Sequence, residues 1–167
     1  KMISNSEALK IINRVSCIYS HYGIKNKIDN LRAHEFSTSK VSDVEGDEWY
    51  ADAAAVAYEV DMIGTKLNPK KAATRRTIVK WMVKAYEYVT DDKCGKSTTQ
   101  RFADIPKTDK DFEIFNCAYV KGLYLGALAE TTSEKVFARP AASVTRAEAM
   151  AHAVNMMSGL SKHQESL

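Results

Sequence analysis

Proline and glycine are scarce, at three and seven residues in 167. That excludes a loop-rich or collagen-like chain and favours helix. Cysteine is scarcer still: Cys17, Cys94 and Cys117 stand far apart, so no CxxC redox or zinc string exists. A disulfide framework is not expected, and one bridge stays open. No apolar run reaches the ~18 residues a membrane span needs. The first residues have no apolar h-region, so no signal peptide is read in this chain. Lys1 leads straight into an apparent helix, and the chain reads as a piece of something longer. A surplus of one charge is missing too. With 24 basic and 21 acidic residues the sum is +3, too balanced for a nucleic-acid partner recognised by bulk electrostatics. The length suits one domain or two small ones.

The strings that announce common chemistries are also absent. There is no GxGxxG, GxxxxGK[ST], HExxH or GxSxG, which removes the usual nucleotide, zinc-protease and serine-hydrolase signatures. His21, His34, His152 and His163 fall at no metal-ligand spacing and read as helix-face residues. Asp91-Asp92 and Asp109/Asp111 sit in polar stretches and read as solvated turns, not a general acid and base. Neither catalysis, metal nor cofactor is expected.

What the chain does have is an internal repeat. One segment runs from Val41-Ser42-Asp43-Val44 past Trp49 to Met62-Ile63-Gly64, then through Pro69 to Thr74-Arg75. A second runs from Phe102-Ala103-Asp104-Ile105 past Phe112 to Gly122-Leu123-Tyr124-Leu125-Gly126, then through Pro140 to Thr145-Arg146-Ala147-Glu148. The Thr-Arg pairs are 71 residues apart, and stepping back 70 from Thr74 reaches Ser4. The predicted fold is all-α, one domain over residues 1–167. Residues 1–40 hold the last helix of a degenerate copy one plus a connection, 41–90 form copy two and 102–160 form copy three.

Each helix after these starts carries one apolar stripe. In copy one it is Ala8, Leu9, Ile12, Val15, Ile18 and Tyr19; in copy two Ile78, Val79, Met82, Ala85, Tyr86 and Val89; in copy three Ala149, Met150, Ala153, Val154 and Met157. Ser4 with Glu7, and Thr145 with Glu148, have capping-box spacing; Thr77 stands where copy two should have Glu. A second helix is read over Ala53 to Val60 and over Phe115 to Leu123, the latter ended by Gly122 and Gly126. The polar connections from Tyr22 to Lys40 and from Thr90 to Gln100 read as loops, with a short helix around Ile28 to Ala33.

These strings resemble the S-layer homology domain. Its pattern is an aromatic-x-Asp-Val/Ile start, an aromatic on the first helix, a Gly-Ile-Ile-x-Gly turn, and a Pro leading to Ile-Thr-Arg-Ala-Glu. Copy three carries nearly all of it; copy two departs at Asp61, where the first turn glycine is expected, and at Arg76-Thr77. Copy one keeps only the helix, with Asn5 at the arginine position. The resemblance implies a pseudo-threefold helical bundle whose grooves bind secondary cell-wall polysaccharide, often carrying pyruvate ketals. It implies a non-catalytic anchor that holds an S-layer or surface protein on the wall, extracellularly. By matching position the ligand residues would be Asp43, Trp49, Arg75, Asp104, Gly122, Gly126 and Arg146.

The residue chemistry leaves alternatives open. A first helical turn with outward amides, beside an arginine, could take a carboxylate such as a pyruvate ketal. Arg75 and Arg146 could equally pair with Asp43 and Asp104 and clip loop to helix. Lys70, Lys71, Arg75 and Arg76 form a basic cluster that suits an anionic glycan or a solvated loop. Trp49 could stack on a sugar or serve as a half-buried anchor; Trp81 and Phe112 read as packing residues. The competing reading is a structural or protein-interaction module of a surface assembly that has lost glycan binding; no motif supports a small helical enzyme. Cys94 and Cys117 flank one connection and could meet, while Cys17, beside an apolar stripe, reads as a buried thiol.

Overall fold

The computed structural model describes residues 1–27, 40–127 and 136–166. The short helix expected around Ile28 to Ala33 lies outside them. The described residues contain six helices: α1 (Asn5–Val15), α2 (Ile18–Asn26), α3 (Ala51–Glu59), α4 (Arg75–Thr90), α5 (Phe112–Val120) and α6 (Arg146–Glu165). The all-α expectation holds, and no strand longer than an isolated bridge occurs among the described residues.

Helices α1, α4 and α6 begin alike. Ser4, Thr74 and Thr145 are their N-caps, each with extended backbone and a hydroxyl accepting from the amide three residues on. Ser4 and Thr145 complete the capping box with Glu7 and Glu148. Ahead of each cap runs a short extended segment, and the three segments close a ring. The amide of Ile3 donates to the carbonyl of Val144, Val144 to Ala73, and Ala73 to Ile3, each at 2.9 Å. The same segments take up the next amides. Asn5 donates to the carbonyl of Lys71 at 2.9 Å, Arg75 to Ala142 at 3.0 Å, and Arg146 to Lys1 at 3.1 Å. A helix start leaves its first amides without intrahelical partners; here neighbouring backbone supplies acceptors.

The shorter helices α3 and α5 also correspond. Both have nine residues and lie 61 positions apart. Each is followed by the same turn: the carbonyl of Ala57 accepts from Met62, and that of Ala118 from Leu123, both at 2.8 Å. The turn needs a left-handed residue. Gly122 supplies it at φ 69°, and Asp61 at φ 57°. Aspartate tolerates this region better than most residues, at a cost of about 1 kcal/mol.

Packing follows from the stripes. α3 lies on α1, α5 on α4, and α1, α4 and α6 pack against one another. Leu9, Ile12, Ile78, Met82, Ala149 and Met156 are buried in that core. α3 presents Ala51, Ala53, Ala54 and Ala57, all buried, and small side chains allow close approach. Under α5 lies an aromatic cluster of Phe102, Phe115 and Tyr124, with centroids 5.7 to 6.2 Å apart. Beyond α4 the connection carries no helix, as expected, and a Cys94–Cys117 disulfide ties it to α5 with Cα atoms 5.6 Å apart.

Two expectations about copy one need correction. Its apolar stripe does not run through a single helix: the chain breaks between α1 and α2, where Cys17 is left-handed at φ 53°. Ser16 Oγ donates to the carbonyls of Ile12 at 2.8 Å and Asn13 at 3.3 Å, satisfying carbonyls that the helix end leaves open. The break turns the Cys17 side chain to solvent, so this thiol is exposed, not buried.

Candidate functional site

Asp43 and Asp104 do the same job in two places. Asp43 accepts from the amides of Leu67 at 2.9 Å and Asn68 at 2.7 Å. Asp104 accepts from those of Ala138 and Arg139, both at 2.7 Å. Each carboxylate spends both oxygens on a turn whose second residue is left-handed, Asn68 at φ 54° and Arg139 at φ 48°. They are loop clips.

Neither Arg75 nor Arg146 reaches these aspartates, so the Arg75–Asp43 and Arg146–Asp104 pairing is corrected. Arg75 donates to Glu148 at 2.5 Å, and Arg146 donates to Glu7. Each arginine crosses from its own helix start to the capping glutamate of the next. The third such pair would join residue 5 to residue 77. There the arginine is Asn5 and the glutamate is Thr77, so both partners are missing together. Asn5 turns to the carbonyls of Leu67 and Asn68 instead, at 2.9 and 3.2 Å. The glutamates are held ionised by these contacts. At Glu7 the backbone amide of Ser4 and then the Arg146 guanidinium lower the pKa. At Glu148 burial opposes ionisation, and the Thr145 amide with Arg75 outweighs it.

The open helix starts expected as anion sites are likewise not open at α1 and α4. Their first amides go to Lys71 and Ala142, their second to Pro69 and Pro140 at 3.2 and 3.0 Å, and their third to the cap hydroxyls. The basic cluster is also partly spent. Arg76 forks onto Asp109 with two bonds of 2.8 Å and reaches Asp111 at 2.6 Å; Lys80 stands 3.5 Å from Asp111. The Arg76 hydrogen bond is the main cause that holds Asp109 down to about 2. Asp111 is buried. The Asp109/Asp111 turn is therefore an ion-pair site, not a solvated turn.

Trp49 behaves differently. It is 56% exposed, its ring standing edge-on to Tyr50 at 5.3 Å. Lys10 Nζ donates to its carbonyl at 2.6 Å and lies 5.7 Å from the ring centroid. It precedes the N-cap of α3 by one residue, the place that Lys110 takes before α5; Phe112 is the buried first residue of α5. The Trp49–Phe112 correspondence read from sequence is thus shifted.

The indole walls two clefts. One, of ≈ 610 Å³, is lined by Lys1, Ser4, Ser6, Glu48, Tyr50 and Lys70. The other, of ≈ 330 Å³, lies beside Ile3, Ile11, Arg146 and Met150. Of the predicted site residues, Trp49 and Arg146 share this second cleft; Asp43, Arg75, Asp104, Gly122 and Gly126 line neither. A side chain on Gly122 would meet nothing within 4 Å, so this glycine serves its φ and not a close approach; Gly126 sits at φ 109°. Lys1, Ser6, Glu48 and Tyr50 were missed from sequence, whereas Lys70 was read there as part of a basic cluster suited to an anionic glycan. Stepping the 61- and 70-residue offsets from Arg76, Asp109 and Asp111 leads to Ser6, Glu48 and Tyr50. Where Arg76 bridges one groove, Ser6 leaves the corresponding one open.

His152 is buried, and neither ring nitrogen has a hydrogen-bond partner. Its ring lies 5.1 Å from that of Tyr124. Burial pushes its pKa down to about 4, with the Glu148 charge opposing the shift and the Arg75 charge adding to it. No His, Cys, Asp and Glu group with metal-holding geometry occurs among the described residues. No described helix is long and apolar enough to cross a membrane. No family model, no curated protein and no solved structure matches the chain.

Proposed function

We propose that the chain is a non-catalytic surface-anchoring module of the S-layer homology kind, binding an anionic cell-wall polysaccharide in the cleft beside Trp49. The observation that carries this reading is the pairing of a mostly exposed indole with an open cleft whose largely apolar lining carries Lys1, Glu48 and Lys70. An indole face offers an apolar platform to the C–H face of a sugar ring. Glu48 offers a carboxylate for sugar hydroxyls, and Lys1 and Lys70 offer charge for a ketal carboxylate. The cyclic bonds among Ile3, Ala73 and Val144 support the pseudo-threefold arrangement. The Cys94–Cys117 disulfide supports an oxidising, extracellular location.

The competing reading, an interaction module without glycan binding, is favoured by a separate observation. Arg75, Arg146 and Arg76 are all engaged by protein carboxylates, so none is held ready for a ligand. Titration with purified pyruvylated secondary cell-wall polysaccharide decides between the two. Saturable binding by the wild type, lost in Trp49→Ala while the melting temperature holds, supports the anchor. Absence of binding by the wild type supports the interaction module.

A further inference from the structure

The outer face of α6 is uncovered in a way that its two counterparts are not. Counting from the helix starts at Asn5, Arg75 and Arg146, the fifth, ninth and twelfth positions lie on one face. On the α1 segment they are Leu9, Asn13 and Ser16, and on α4 they are Val79, Val83 and Tyr86; all six are buried. On α6 they are Met150, Val154 and Met157, exposed at 56%, 56% and 49%. The difference matches the packing partners. α1 carries α3 and α4 carries α5, whereas α6 packs substantially on α1 and α4 alone among the described helices. Asn13 shows the cover directly, its amide donating to the Ala53 carbonyl of α3 at 3.0 Å.

The sequence of α6 fits a covered helix better than a solvated one. Its exposed positions from 147 to 161 are Ala147, Met150, Ala151, Val154, Met157, Ser158 and Ser161. Not one is charged over four turns. A surface helix ordinarily puts charged residues on the side away from the core, and a contiguous apolar strip of this kind marks an interaction surface. The adjoining side, about 100° round the helix, with Ala149, Ala153 and Met156, is already buried, so the apolar surface of α6 extends well beyond its core stripe.

We infer that this face is the docking surface for one short helix of the α3 and α5 kind, carried on polypeptide outside residues 1–167. The occupant's chemistry is set by the two helices that fill the corresponding places, ADAAAVAYE and FEIFNCAYV. It has about nine residues, a small-residue or aromatic apolar face and no basic residue. This inference does not depend on glycan binding.

The test uses chain 1–167 and a fluorescein-labelled peptide that copies residues 41–64 and so contains α3. Fluorescence anisotropy is expected to show saturable binding, weakened at least tenfold in the Met150→Asp/Val154→Asp double variant. Both changed positions are exposed, and circular dichroism checks that the variant stays folded. Bound peptide is also expected to slow peroxide oxidation of Met150 and Met157, read residue by residue by mass spectrometry, and to leave buried Met82 unchanged. Three results would each overturn the inference, the first two being no saturable binding over the peptide's soluble range and binding that the double variant keeps. A third is a concentration-dependent dimer in sedimentation velocity that the double variant abolishes, since a second copy would then be the occupant.

Discussion

Lowering the pH from 7 to 5 is expected to destabilise the fold through one side chain, His152. The imidazole sits in the core beside Tyr124 with no partner on either nitrogen, so its charged form gains no hydrogen bond there to offset burial. Its pKa falls from 6.5 to about 4. For a base lowered on folding, the unfolded chain binds the proton more readily. Stability is therefore complete above 6.5, falls with pH through the window down to about 4, and then levels off. The full loss is about 3 kcal/mol, at 1.36 kcal/mol per pKa unit. By pH 5 it is about 2 kcal/mol, a sizeable part of the 5–15 kcal/mol typical of a domain. In a chain of this size that lowers the melting temperature by roughly 4–8 °C. The carboxylates held low by backbone amides and arginines, Glu7, Asp109 and Glu148, lose stability mainly below pH 5, so they leave the upper window clear. Urea denaturation at pH 7 and pH 5, on wild type and His152→Leu, reads the effect. The variant should lose less than a quarter of what wild type loses. An equal loss in both proteins refutes the assignment to His152.

Three further outcomes follow from the packing. Arg76→Ala leaves buried Asp111 and its neighbour Asp109 without their guanidinium and should cost about 2–3 kcal/mol by urea denaturation; adding Asp109→Asn and Asp111→Asn should recover part of it. Reducing the Cys94–Cys117 bridge opens a loop of 23 residues and should cost about 3 kcal/mol, seen as a lower melting temperature with a phosphine reductant and no such drop in Cys94→Ser. Asp61→Gly should stabilise by about 1 kcal/mol, because glycine adopts the left-handed turn without strain, and Gly122→Ala should destabilise by a similar amount. Equal melting temperatures for these two variants would contradict the shared-turn reading.

Local chemistry made part of the fold legible. Ser4, Thr74 and Thr145 announce helix starts because a hydroxyl at an N-cap acts on an amide three residues away, well inside the range of a sequence string. The turn after α5 was equally plain from Gly122. The break at Cys17 was not, since neither glycine nor proline marks it and Ser16 acts through its own carbonyl contacts. The site was less legible. Arg75 and Arg146 were given partners within their own repeat, but their glutamates lie on the next helix start, 73 and 139 residues away. Arg76 looked like part of a basic patch, because nothing local shows that Asp109 and Asp111 lie opposite. Asn5 and Thr77 read as unrelated departures from the pattern until the ring places their neighbourhoods together.

The ring through Ile3, Ala73 and Val144 also sets a limit on growth. In a stacked solenoid every unit leaves one face open for another, so the array can lengthen without end. Here each extended segment gives one amide to one neighbour and takes one from the other, and the third returns to the first. A head-to-tail contact whose rotation closes makes a finite object, and a fourth segment would find no unused partner at the axis. Closure also joins residues 3 and 144, far apart in the sequence. Trimming the first four residues would leave Val144 without its donor and Ala73 without its acceptor. The segment ahead of α1 is thus part of the keystone.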